Sequence, residues 1–321
     1  MKKPLVSILV LNWNGEDILE ENIRSILSTN YRPFEVVVVD NASTDGSLAL
    51  LRSFPQITII ENRQNLGYAE GNNIGFSHCR GEYIAVVNND VVIDPEWLDA
   101  PVRIFEQFED VGLVSCRQMN YFERQRIDTL YLYPTSHLLL GQMGHGKVFD
   151  DDPLYRDEGY VLGANGASAI YRKRVITELG GFDRIFFAYH EESDLQMRAF
   201  FAGWKCVYIP TSVVYHKGSH SFDKIKESLF YYHERNRIWF IYRNFPFSLI
   251  VSCLPIIFYR ELQTFLNIVL KKGLAGTYFK ARLDGVRSLG QFKVLRRHNV
   301  KKFKMKRRRF MEFMRRKKIP L

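Results

Sequence analysis

Residues 34–46 read FEVVVVDNASTDG: four consecutive valines, an aspartate, then a run of turn formers. A continuous β-branched run is the pattern of a strand buried on both faces, and Asp40 closes it where Asn41 to Gly46 favour a turn. Residues 83–90, YIAVVNND, repeat the pattern and end on Asp90. Strands of this kind belong to parallel sheets covered by helices, and the ligands of such sheets bind outside the strands' carboxyl ends. Two carboxylates at two such ends therefore face one crevice, although about fifty residues separate them in sequence. A third acidic group, HEESD at 190–194, follows a glycine-rich turn and opens a helical pattern. Such a set suits a nucleotide, its metal-bound phosphates and a general base.

The same alternation runs outward from these strands. Leu5 to Leu11 is an apolar run that passes into polar Asn12 to Asp17 without a small-residue cleavage pattern, so it reads as the first core strand and not as a signal peptide. Ile18, Leu19, Ile23, Ile26 and Leu27 follow at helical spacing. Further strands are expected at 57–60 and 111–115, and helices at 47–54, at 69–79 and from Asp94, with Pro95 at its first position. This order predicts an α/β fold with a doubly wound, mostly parallel sheet. Over residues 120–160 the periodicity fails while Gly, Pro, Tyr and acidic residues accumulate, which reads as a long loop or lid. Order returns with residues 162–183, the acidic helix at 191, and strands at 205–209 and 213–216. The expected division is a domain of residues 1–223 and a helical extension of residues 224–321.

In the extension, YYHERNRIWFIYRNFP at 231–246 is amphipathic, and its aromatic stripe reads as a membrane or packing face. The apolar run that follows, Phe245 to Tyr259, is about fifteen residues, short of the roughly twenty that span a bilayer. Pro255 and the Arg260–Glu261 pair break it, so it reads as an interfacial helix. Charge is split in the same place. Lys271 to Leu321 holds 19 Lys or Arg and 2 acidic residues, leaving 26 basic and 33 acidic before it: net +17 after net −7. Such a tail is expected to meet an anionic membrane surface or nucleic acid. The four cysteines have neither metal-type spacing nor the density of a disulfide scaffold, which points to a reducing compartment. With 46% hydrophobic residues in 321, the chain has ample material for one good-sized core.

The segments VSILVLNWNGEDILEENIRSIL (6–27), VVVVDNASTDGS (36–47), NLGYAEGNNIG (65–75), VVNNDVVI (86–93) and GGFDRIFFAYHEESDLQMR (180–198) together resemble the family 2 inverting glycosyltransferases. More narrowly they are similar to the bacterial rhamnosyltransferase-like branch, over roughly residues 5–222. The resemblance implies a GT-A fold, a UDP- or dTDP-sugar donor, and Mn²⁺ or Mg²⁺. It implies that Asp40 accepts the imino N–H of a pyrimidine, flanked by the amides of Asn12 and Asn41; the plain alternative is that Asp40 caps its turn. Arg63 and Gly67 would stand near the donor's ribose and phosphates, or the glycines simply start a helix packed close on the sheet. Asp90 takes the metal position, with neutral Asn88 where the family more often has aspartate, and His216 matches a histidine that completes the metal site in some relatives. Imidazole would favour Mn²⁺. In the acidic motif Glu192 stands where the family's base is usually aspartate, with Glu191 as the second choice. His137, His145, His190 and His220 have no ligand spacing and read as ordinary polar residues.

The implied activity transfers a sugar, rhamnose first among the candidates, to a cell-envelope glycan or polyprenyl-linked acceptor at the cytoplasmic membrane face. Two rivals stand beside it. A sugar-nucleotide nucleotidyltransferase would need a basic glycine-rich loop at the first strand, where NWNGED is acidic; a nucleic-acid-binding protein would need base-reading motifs beyond the charged tail. Glycines at 67, 71 and 75 also differ from the dinucleotide-binding spacing.

Overall fold

The computed structural model describes residues 3–218 and 227–321. Its N-terminal part alternates strand and helix: β1 (Val6–Asn12), α1 (Glu16–Leu27), β2 (Phe34–Asp40), α2 (Ser47–Arg52), β3 (Thr58–Glu61), α3 (Gly67–His78) and β4 (Tyr83–Asn88). These four strands pair in parallel in the order β3-β2-β1-β4. The valine run divides by its period of two. Val36 and Val38 pack with Leu19, Ile23, Val102 and Phe105 on one face, while Val37 and Val39 pack with Ala69, Phe76, Val175 and Leu195 on the other. Both faces are therefore dry, as a run of valines without polar alternation requires.

The chain continues through β5 (Val91–Ile93), α4 (Asp99–Gln107), β6 (Val111–Asn120), β7 (Ile127–Thr129), β8 (Leu132–Pro134), β9 (Leu140–Gln142), α5 (Pro153–Arg156), β10 (Gly159–Val161), β11 (Ala169–Arg172), α6 (Lys173–Leu179), α7 (Glu191–Ala202) and β12 (Lys205–His216), of which β8 and β9 form a separate two-stranded sheet. β11 is inserted antiparallel between β4 and β6, and β6 and β12 run parallel beyond it. The helix expected from Asp94 begins five residues later. Asp94 instead accepts the Glu96 backbone N–H at 3.0 Å in a turn, and α4 starts at Asp99.

Residues 120–160 are not an open lid. Ile127, Leu130, Tyr131, Leu138 and Met143 are buried, and β7 pairs with β6. Three-residue strands carry too little periodicity to stand out in a sequence, and their order comes from the sheet they lie on.

The C-terminal helices are α8 (Glu227–Asn244), α9 (Phe247–Thr264), α10 (Ala275–Arg287) and α11 (Lys293–Arg316), followed by a short strand, β13 (Ile319–Pro320). The boundary expected at Asp223 lies outside the described residues. α8 is bound to the sheet body by charge as well as by its aromatic residues: fully buried Arg243 pairs with Asp183 at 2.9 Å and with Asp194 at 3.3 Å. Trp239 and Phe240, part of the expected aromatic stripe, are buried. Arg260 and Glu261 interrupt the apolar run as expected, but they do not end the helix. The helix runs through Pro255 and continues as a π-helical turn over Phe265–Val269, because Glu261 is neutralised by Arg237 at 2.9 Å and by Arg282. The basic tail is folded back in part: Phe303, Phe310 and Phe313 of α11 pack with Phe200, Phe201 and Phe245, and β13 pairs antiparallel with β10.

Candidate active site

The carboxyl ends of β1, β2 and β4 meet as the strand pattern predicts, and the register places Asn12 beside Asp40 and Leu11 beside Asn88. Next to them opens a cavity of about 360 Å³ whose walls include Trp13, Asn41, Gly67, Tyr68, Phe187 and Tyr232.

Asp40 is fully buried and both of its oxygens are engaged. Oδ1 accepts from the Ser43 hydroxyl at 2.6 Å and the Asn12 amide at 3.0 Å; Oδ2 accepts the Ser43 backbone N–H at 2.9 Å. In this geometry Asp40 caps the turn, and it does not line the cavity. Asn12 completes the junction by accepting from the Asn89 amide at 2.9 Å, which ties β1, β2 and the end of β4 together. Asn41 does reach the cavity, and its side chain bonds Asn62, Asn65, the Leu66 N–H and the Gly67 carbonyl, fixing the loop that starts α3. Gly67 has φ +79°, and a Cβ there would lie 2.5 Å from the Phe187 carbonyl oxygen, so the close approach of two loops requires glycine. Arg63 is exposed and makes no ion pair among the described residues.

On the opposite side of β4, Asp90 and His216 come together. His216 Nε2 lies 3.2 Å from Asp90 Oδ2, while its Nδ1 donates to Asp128 Oδ2 at 2.9 Å. Burial works against the imidazolium, but hydrogen bonds to Asp128 and Asp90 and their charges prevail, raising His216 to about 10. Asp90 Oδ1 is buried without a hydrogen-bond partner. An orphaned carboxylate oxygen beside an imidazole whose other nitrogen is held by a carboxylate offers oxygen and nitrogen donors of the kind that divalent cations take. These residues fit the cation that the family implies, provided other ligands come from outside the chain: among the described residues no group of three or more His, Cys, Asp or Glu is placed to hold a metal by itself. Asn88 is turned elsewhere, its Oδ1 3.2 Å from the Tyr68 hydroxyl.

The acidic motif opens α7 after a strained loop in which Phe187, Tyr189 and His190 have φ of 64°, 69° and 69°. Its three carboxylates have three fates. Asp194 is buried and ion-paired, to Arg198 at 2.8 Å and to Arg243. Glu191 is also buried, with Oε2 unpartnered, and burial together with the charges of Glu192 and Asp194 holds its carboxyl well above the usual range. Glu192 is partly exposed, and burial raises it to about 7 against an opposing hydrogen bond from Tyr68. Its Oε1 lies over Gly166, where a Cβ would approach to 2.3 Å. The Tyr68 hydroxyl lies 3.2 Å from Asn88 Oδ1, two residues before Asp90, and 3.2 Å from the carbonyl oxygen of Gly166, the residue that Glu192 Oε1 lies over.

Tyr68, Asn89, Asp128 and the first turn of α8 were not singled out from the sequence. Ser228, Leu229 and Tyr232 line the cavity, and Tyr232 stacks on Phe187 with ring centroids 4.7 Å apart. Tyr232 was visible as part of an aromatic stripe, and only its destination was missed. His190 and His137 are pushed down by burial, and His145 is exposed, consistent with polar or packing roles; His220 lies outside the described residues.

The description "Glycosyl transferase family 2" matches residues 7–180, more than half of the chain. The chain belongs to that family. Among relatives, an uncharacterized glycosyltransferase of Haemophilus influenzae is 33% identical over 112 residues, which are 34% of this chain and only 35% of the relative. An N-acetylglucosaminyl-diphospho-decaprenol L-rhamnosyltransferase of Mycobacterium tuberculosis is 25% identical over 237 residues, covering 68% of this chain and 77% of that one. Among solved structures, S. aureus TarS 1-349 in complex with UDP-GlcNAc superposes with a TM-score of 0.59 at 17% identity, covering 97% of this chain and 91% of that one. A mannosyltransferase from Pyrobaculum calidifontis in complex with GDP-Man and Mn²⁺ gives 0.52 at 18% identity, covering 91% and 89%. The fold is therefore that of the GT-A glycosyltransferases, and coverage of 97% carries the likeness into the C-terminal helices. The protein is a glycosyltransferase.

Proposed function

We propose that this glycosyltransferase inverts the anomeric centre of a UDP- or dTDP-sugar, with rhamnose the first candidate, and passes it to a hydroxyl of a lipid-linked cell-envelope acceptor. The observation that carries the reading is the grouping around Tyr68: the raised carboxyl of Glu192 over Gly166, whose carbonyl Tyr68 bonds, and the Asp90–His216 pair just beyond Asn88, which Tyr68 also bonds. Glu192 takes the acceptor hydroxyl's proton as that oxygen bonds to the anomeric carbon, and the bond to the diphosphate breaks in the same displacement. One base suffices for inversion. Asp90 and His216 would hold Mn²⁺ or Mg²⁺, and the cation's chemistry would be to offset the charge developing on the leaving diphosphate. The rhamnose assignment is supported by the mycobacterial relative, whose acceptor is also lipid-linked.

The same proposal puts the protein at the cytoplasmic face of the membrane. α9 and its π turn form a 23-residue apolar helix, long and apolar enough to cross a membrane by length and composition, with no residue of its most apolar window buried. Phe247, Val251, Leu254, Phe258, Leu262 and Leu266 make one exposed stripe along it. Its Glu261 is ion-paired to α8 and α10, which supports a helix lying on the body with its outer face in lipid headgroups. Exposed Lys293, Arg297, Lys301, Lys304 and Arg308 form a basic stripe on α11 that suits anionic lipid.

A hydrolysis screen of UDP-, dTDP- and GDP-sugars with Mn²⁺ or Mg²⁺ tests the donor reading. Metal-dependent hydrolysis of a uridine or thymidine donor, lost in Asp90→Ala, is expected; turnover indifferent to metal and to Asp90 refutes it. Co-sedimentation with anionic liposomes tests the membrane reading, with only partial release by salt expected because apolar insertion is not screened. Tight salt-sensitive RNA binding without liposome binding would favour a nucleic-acid partner instead.

A further inference from the structure

β7 carries a single-residue irregularity at the active site. Gln118 of β6 pairs with Thr129 and the next residue, Met119, pairs with Ile127, so Asp128 is an extra residue with no partner of its own across the ladder. An extra residue in one strand of an antiparallel pair bends that strand and re-aims its side chain, a device common beside active sites. Here the side chain is sent to the neighbouring strand on the other side of β6. β12 pairs with β6 so that Tyr215 stands beside Met119 and His216 beside Asn120, and Asp128 Oδ2 meets His216 Nδ1 at 2.9 Å. The Gln118 amide donates to the same carboxylate and holds it from the β6 side.

We infer that Asp128 is the positioning residue of the cation site: it fixes the ring of His216 so that Nε2 faces the place a metal would take beside Asp90. The inference rests on the metal reading proposed above and assigns a role to a residue in the segment that the sequence presents as a lid. Its logic is geometric. With Nδ1–H donated to Asp128, Nε2 is the nitrogen that faces Asp90, 3.2 Å from Oδ2, and a cation bound there would take the place of the proton shared between them. A carboxylate partner also increases the basicity of the ligating nitrogen. Without Asp128 the ring would be free to turn or to carry its proton on Nε2, and either state removes a ligand while leaving Asp90 in place.

The test is Mn²⁺ binding measured by electron paramagnetic resonance with saturating UDP, using the full-length protein, Asp128→Ala, Asp128→Asn, His216→Ala and the Asp128→Ala/His216→Ala double variant. Asp128→Ala is expected to weaken Mn²⁺ binding by about 10- to 100-fold, the usual effect of removing a histidine's outer partner. Asp128→Asn, which keeps the shape and an acceptor oxygen, is expected to fall between it and wild type. The decisive comparison is the double variant, which should bind Mn²⁺ no more weakly than His216→Ala, since Asp128 acts only through that ring. Wild-type affinity in both Asp128 variants, or losses that add in the double variant, would overturn the assignment. Should Asp128→Ala fail to fold, wild-type affinity in Asp128→Asn alone overturns it. Absence of Mn²⁺ binding by the wild type with UDP would instead overturn the metal reading, and this inference with it.

Discussion

Two carboxylates at the crevice, fully buried Asp40 and partly exposed Glu192, differ most in what surrounds them. Asp40 sits at a strand end with both oxygens bonded, by Asn12 and twice by Ser43. Glu192 sits at a helix start with burial raising it to about 7 and the Tyr68 hydroxyl as its opposing hydrogen bond. A satisfied buried carboxylate is structural, because its charge is already spent on local donors. An under-satisfied one keeps an affinity for a proton that substrate can supply.

The largest effect expected from this contrast is in Glu192→Gln, which should lower transfer about 10²- to 10⁴-fold while leaving the thermal melt and donor affinity near wild type. Retained transfer there, with loss in Glu191→Gln, would move the base by one residue. Asp40→Ala should behave in the opposite sense, losing about 1–3 kcal/mol of stability in urea unfolding because the Asn12 amide and Ser43 donors lose their acceptor. Unchanged stability with lost nucleotide affinity by calorimetry would make Asp40 a direct contact to the base after all.

Acidity sharpens the comparison further. A base raised to about 7 is deprotonated above that value, so kcat/KM should rise with pH through about 7 and level off beyond it. A flat profile from pH 5 to 9 would remove Glu192 from the reaction. The smallest effect belongs to Glu191. Its folded form holds a proton that the unfolded chain releases near the ordinary 4.5, so its contribution to stability is full below that pH and falls as pH rises above it. Glu191→Gln should abolish this fall, raising Tm by a few degrees at pH 8 and little at pH 5 in differential scanning calorimetry.

Legibility followed the scale at which each feature is decided. β1, β2 and β4 were plain because Val and Ile runs buried on both faces need no partner to be recognised, and they delivered Asp40 and Asp90 to strand ends. The pairing of Asp90 with His216 was also anticipated, through the resemblance. Asp128 was invisible, since its role depends on a register slip between β6 and a three-residue strand. Charges misled for a related reason: Glu234, Arg237 and Arg243 read as the polar face of an amphipathic helix, yet they are buried in ion pairs that only the assembled body supplies.

One amide on α8 reaches back into the catalytic loop. Asn236 Nδ2 lies within 2.9 Å of three carbonyl oxygens, those of Phe186, Ala188 and Tyr189, in the stretch whose left-handed residues lead to Glu192. Backbone held in that region costs on the order of 1 kcal/mol or more per residue and persists only where neighbours enforce it. Aspartate cannot replace this residue, because a carboxylate facing three carbonyls has nothing to donate. In evolutionary terms the sheet and the helices after it cannot be shuffled as separate cassettes: a recombinant that exchanged the C-terminal helices for those of a distant cousin would inherit the motif HEESD intact and lose the shape that makes it a motif.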